Sequence, residues 1–86
     1  NIIDTIKDKI NQAVREKYQL RDIEFQVEYP PQPELGDYSC NIAMILGKKL
    51  GKNPMEAGKE ILEALGEFKQ EFENVEIIKP GFINFF

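Results

Sequence analysis

The segment Lys79-Pro80-Gly81-Phe82-Ile83-Asn84-Phe85-Phe86 gathers the side chains best suited to recognising another molecule, with four apolar groups, one carboxamide and no charge in its last five positions. In an extended chain successive side chains alternate faces, so Ile83 and Phe85 point one way while Phe82, Asn84 and Phe86 point the other. If Ile83 and Phe85 are core, the second face presents aromatic rings around an amide. Such rings stack on an unpaired nucleobase, and the amide can hydrogen-bond the base's edge. The same run also serves ordinary architecture: Phe82 can cover an open sheet face, and Asn84 can tie down a turn or a strand edge.

Other chemistry is largely excluded. There is no histidine, which removes histidine-based triads, cysteine–histidine pairs and histidine-containing metal sites. Gly47-Lys48-Lys49-Leu50-Gly51-Lys52-Asn53 is a poor phosphate loop. Its glycines are one residue too close, Asn stands where a hydroxyl should meet magnesium, and a helix precedes it where a strand is required. Fifteen carboxylates are present, but no pattern singles out two as an acid–base pair. No catalytic, cofactor-binding or metal-ligating residue emerges. The basic cluster Lys48, Lys49 and Lys52, with Lys59 further on, fits a helix end where cations complement the carbonyl pole, and it is also the one place where phosphate could find several ammonium groups.

These groups need elements to hold them. Ile2, Ile3, Ile6, Ile10, Ala13 and Val14 recur at three- and four-residue steps, predicting an amphipathic helix that ends near Tyr18. Ile23, Phe25, Val27 and Tyr29 alternate with polar residues, predicting a strand with one wet face. Pro30, Pro31 and Pro33 forbid regular pairing and mark a loop that turns at Gly36. From Asp37 or Ser39 the pattern predicts a mostly buried second helix containing Cys40 and Met44 and closed by Gly51. Asn53-Pro54-Met55-Glu56 opens a third, with Asn as cap, Pro in the first turn and Glu three residues on, and Gly66 ends it. Phe72–Ile78 predicts another strand. Pro80-Gly81 suits a type II turn, which fits a tight hairpin poorly, so the last two strands are expected to pair with other neighbours. The expected class is α+β, a two-layer sandwich with helices on one face of a small sheet, in the order helix, strand, two helices, two strands.

Eighty-six residues make one domain with a modest core. No repeat, signal peptide or apolar run long enough for a membrane span is visible. A single cysteine suits a reducing compartment. The start at Asn1 without methionine and the end inside a strand suggest part of a longer protein. The net charge of −4 argues against non-specific nucleic-acid binding, so any RNA contact must be local.

Two stretches together resemble the amino-terminal domain of arginyl-tRNA synthetases. The first is Pro33-Glu34-Leu35-Gly36-Asp37-Tyr38-Ser39-Cys40-Asn41-Ile42-Ala43-Met44, running on to Leu50-Gly51-Lys52-Asn53-Pro54; the second is Pro80-Gly81-Phe82-Ile83-Asn84-Phe85. They are similar to that family's Gly-Asp-Tyr-hydroxyl-x-Asn signature and its Gly-aromatic-aliphatic-Asn-Phe ending, and the likeness spans nearly the whole chain. The resemblance implies a non-catalytic α/β appendage spanning residues 1–86 that leans on the elbow of tRNA(Arg) and contacts its D-loop. On that reading Phe82 and Asn84 read the D-loop base, Lys48, Lys49 or Lys52 touch phosphate, and Gly36, Asp37, Tyr38 and Asn41 are architectural. Phe stands where some bacterial relatives have Tyr, which keeps stacking but not a phenolic contact. The parent would be a cytoplasmic, monomeric arginine–tRNA ligase using ATP with magnesium, and this domain would pack on its catalytic domain while holding no cofactor itself. A docking module using the uncharged last strand, by β-addition or by packing on a neighbouring domain, is the competing expectation.

Overall fold

The computed structural model describes residues 1–86 and places three helices against one face of a four-stranded antiparallel sheet, an α+β sandwich as expected. Helix α1 (Ile2–Tyr18) starts where the Asn1 side chain accepts a hydrogen bond from the Asp4 N–H at 3.0 Å. Its buried stripe is Ile6, Ile10, Ala13 and Val14, and Gln19 ends it in the left-handed region at φ 57°. No helix is long and apolar enough to cross a membrane.

The strand predicted over Ile23–Tyr29 shrinks to β1 (Val27–Glu28). Its partner is the reason: β2 (Tyr38–Cys40) is three residues long, and only Val27 and Glu28 find positions opposite it, at Cys40 and Ser39. Phe25 and Ile23 still pack on the core from the irregular segment ahead of β1.

Strand β2 corrects the expectation of a helix from Asp37 or Ser39. Its backbone pairs with the last strand, Tyr38 opposite Phe85, Ser39 opposite Asn84 and Cys40 opposite Ile83, so neither Asp37 nor Ser39 caps a helix. Helix α2 (Ile42–Leu50) begins only after Asn41 and closes at Gly51 with φ 67°. Helix α3 (Pro54–Leu65) follows the expected plan, with the Asn53 side chain accepting from the Met55 N–H at 2.8 Å and Pro54 in the first turn. Gly66 stops it at φ 57°.

Phe72 lies outside the strand predicted for it. A 3₁₀ run, Gly66–Glu71, comes first and β3 spans Val75–Ile78. Phe72 instead joins an aromatic chain, 5.4 Å from Phe68 and 4.9 Å from Phe85 between ring centroids. Strand β4 (Phe82–Phe85) pairs directly with β3, contrary to the expectation that these strands would separate. The connection explains this: three residues, Lys79 to Gly81, link the ladder pair Ile78 and Phe82, with the Gly81 N–H donating to the Ile78 carbonyl at 2.9 Å. A two-residue type II turn is therefore never needed.

The sheet order is β1-β2-β4-β3. Strand β4 is internal, paired on both sides, so it offers no free edge for β-addition. Ile83 and Phe85 are fully buried against the helices with Ile6, Ile10, Ile42, Leu46 and Ile61, as their shared face predicts. Removing a ring as large as that of Phe85 from water stabilises the fold by about 2–3 kcal/mol. The opposite face of the sheet carries no α-helix, only the short 3₁₀ turn Pro33–Leu35 at its border.

Candidate nucleic-acid interface

The strand register sets out what that uncovered face presents. One cross-strand row runs Glu28, Ser39, Asn84, Glu76. The next carries Phe82 opposite Ile78, and the ladder extends past β1, where the Asn41 Oδ1 accepts from the Gln26 N–H at 2.8 Å and the Asn41 N–H donates to the Gln26 carbonyl at 3.3 Å. Asn41 is thus architectural, joining β1 to β2 rather than capping α2. The face is polar at its centre and aromatic at one end.

The proline-rich loop makes this face concave. Tyr29, Pro30, Pro31 and Leu35 stand over the same groove that Ser39, Phe82 and Asn84 line, enclosing roughly 420 Å³. The loop is fastened at Gly36 and Asp37. The Asp37 N–H donates to the Phe85 carbonyl at 2.8 Å. Gly36 passes so close that a Cβ on it would lie 2.7 Å from the same oxygen, and its φ of 95° is one that side-chain-bearing residues rarely adopt. Tyr29 leans on Tyr38, with ring centroids 5.7 Å apart, and remains 70% exposed.

Phe82 and Asn84 sit where strand alternation places them, about 7 Å apart along one face, but at different depths. Phe82 is 37% exposed and Asn84 only 2%. The amide is therefore part of the groove's floor, lower than its outward-facing assignment implies. Its Oδ1 accepts a hydrogen bond from the Ser39 hydroxyl at 2.8 Å. Its Nδ2 makes no hydrogen bond within the chain, and no fully buried side-chain nitrogen or oxygen lacks a partner, so this nitrogen reaches the groove surface. A ring at the rim and a donor at the floor can hold a flat heteroaromatic group by its face and its edge.

The lysines are dispersed. Lys48 and Lys49 are exposed in the last turn of α2, beside its carbonyl pole, and do not line the groove. Lys52 Nζ is bound to both Glu60 oxygens at 2.5 and 2.6 Å and lies 5.7 Å from the Tyr18 ring centroid. A phosphate could recruit Lys52 only by breaking that pair. Tyr18 donates its hydroxyl proton to the same carboxylate. The Lys52 ammonium and then the Tyr18 hydroxyl hold the Glu60 carboxyl below its usual range, while burial and then Glu60 raise the Tyr18 phenol. This trio ties α1 to α3 and to the link between α2 and α3.

The groove's own cation is Lys79. Its place in sequence, three residues before Phe82 and ahead of a turn, was the available signal. Ser39 was hidden because the strand that carries it reads as a helix start. Cys40 is fully buried on the helix side of β2, where burial pushes its thiol up to about 12, so it has no chemistry to offer.

The whole chain, residues 1–86, matches the family described as arginyl tRNA synthetase N terminal domain. Arginine–tRNA ligase of Thermotoga petrophila is 45% identical over 99% of this chain, and that of Staphylococcus carnosus 41% identical over all of it. These matches occupy 15% and 16% of the two ligases, so the chain spans about one seventh of their length. The fold also superposes on arginyl-tRNA synthetase of Plasmodium falciparum with a TM-score of 0.83 at 24% identity, over 98% of this chain and 15% of that one. A match along the full chain, with relatives above 40% identity, means that this protein belongs to the arginyl-tRNA synthetase N-terminal domain family.

Proposed function

We propose that the chain is the tRNA-recognition domain of an arginine–tRNA ligase, and that its groove takes an unpaired D-loop base at the elbow of tRNA(Arg). Phe82 stacks on the base and Asn84 hydrogen-bonds its edge. One observation carries this reading: an exposed ring and an amide nitrogen with no partner in the chain line one groove, on a sheet face that no α-helix covers. Stacking and edge recognition by separate groups is how proteins read single-stranded bases. Lys79 is the cation placed for a neighbouring phosphate, and Lys48 and Lys49 are free to meet phosphate further along the tRNA.

In this proposal the reaction belongs to the rest of the enzyme, which binds arginine and ATP with magnesium and acts in the cytoplasm as a monomer. The domain contributes binding energy to tRNA alone. In the full-length enzyme, Phe82→Ala and Asn84→Ala lower kcat/KM for tRNA by roughly 5- to 150-fold, the equivalent of about 1–3 kcal/mol. KM for arginine and ATP stays put. Unchanged tRNA kinetics in both variants would refute the proposal.

A further inference from the structure

Asn84 is held by one neighbour on a face with a definite electrostatic character. The Ser39 hydroxyl, directly across the β2–β4 ladder, donates to Oδ1 at 2.8 Å, and Nδ2 makes no hydrogen bond in the chain. Glu76 stands opposite Asn84 on its other side and Glu28 opposite Ser39, so two carboxylates share the row with the amide. Cross-strand neighbours have Cβ atoms about 5 Å apart. Beside Glu76, with Glu28 two strands away in the same row, an exposed NH₂ is favoured over an exposed carbonyl oxygen, because the amide's positive end is then the one nearer the negative charge.

A free carboxamide is two-faced: rotated by half a turn it exchanges donor for acceptor and accepts either kind of base edge. Discrimination needs that rotation stopped. We propose that Ser39 is a positioning residue that anchors the inner end of the Asn84 amide while the Glu76 carboxylate sets its polarity, holding Nδ2 toward the groove so that the site selects a nucleobase edge presenting a lone-pair acceptor. The inference rests on the reading of Asn84 as the base-contacting group and adds the polarity of its contact. Ser39 itself does not touch the base. Its part is to occupy Oδ1 from across the ladder.

The test is arginylation by the full-length enzyme of a tRNA series carrying each of the four bases at the D-loop position whose replacement costs the wild type most. Ser39→Ala is expected to compress the spread in kcat/KM between best and worst base by about three- to tenfold, the scale of one neutral hydrogen bond. Ser39→Thr keeps the hydroxyl and retains the spread. Simple loosening of the domain would lower all four values together and leave their ratios intact. A wild-type spread in Ser39→Ala, or a uniform drop, would overturn the inference even while Asn84→Ala still weakens tRNA use; no effect of Asn84→Ala would instead sink the proposed function beneath it. Should Ser39→Ala fail to fold, Asn84→Asp decides. It replaces the outward donor with an acceptor and is expected to cost at least as much as Asn84→Ala, whereas wild-type activity in Asn84→Asp would show that no donor is needed.

Discussion

Gly36 has no chemistry, yet the groove depends on it. At φ 95°, with a would-be Cβ 2.7 Å from the Phe85 carbonyl oxygen, it allows the proline-rich loop to lie against the end of β4 and present Asp37 N–H to that oxygen. Gly36→Ala meets both a disfavoured backbone conformation and a backbone atom that cannot swing aside. The expected loss is about 2 kcal/mol or more, measured as a lower urea midpoint. A midpoint equal to wild type would show that the loop can shift without cost. Gly36 was readable as a turn from its place after three prolines, and Phe82 and Asn84 as a pair from alternation alone. The depth of Asn84 was not readable, because it depends on what stands beside it. Its neighbour Ser39 lies 45 residues earlier in the chain, and no local pattern connects the two.

Among the elements, each helix is long enough to repeat its apolar stripe, and α3 has in Asn53 a cap residue that announces its start. That is why the bounds of α1 and α3 could be read nearly to the residue, while the start of α2 was placed too early, inside β2. A strand of three residues such as β2 is too short to show a period, whereas β1 lies inside an alternating run longer than the strand that forms. Tyr38-Ser39-Cys40 merged with the apolar run of α2, and only pairing with β4 distinguishes them. The Lys52–Glu60–Tyr18 trio is likewise a contact between elements, with partners 8 and 42 residues from Glu60. Because Lys52 and Tyr18 hold the Glu60 carboxyl below its usual value, the folded state binds this proton less readily than the unfolded chain. The group therefore stabilises the fold above its unfolded pKa, and that contribution fades as pH falls through the lower folded value. Glu60→Gln is expected to melt below wild type at pH 7, with the gap in Tm closing as pH drops below 4.5. A gap that persists unchanged into acid would mean that the carboxylate's charge plays no part.

At the scale of the molecule, a chain of net charge −4 cannot hold RNA by counterion release alone. Its one sheet face without an α-helix has a groove with an aromatic rim, a donor at the floor and a single lysine, which suits the local, base-directed contact proposed above. Strand β4 is shared between two tasks: Ile83 and Phe85 anchor the helical layer, while Phe82 and Asn84 turn to the groove. The most direct measurement is chemical-shift mapping of this domain with a D-arm RNA hairpin. Perturbations are expected at Phe82, the Asn84 side-chain amide, Ser39 and Tyr29, and they weaken when the unpaired loop base is replaced by an abasic site. Perturbations confined to α2 and α3, with none at Phe82 and Asn84, would contradict the account.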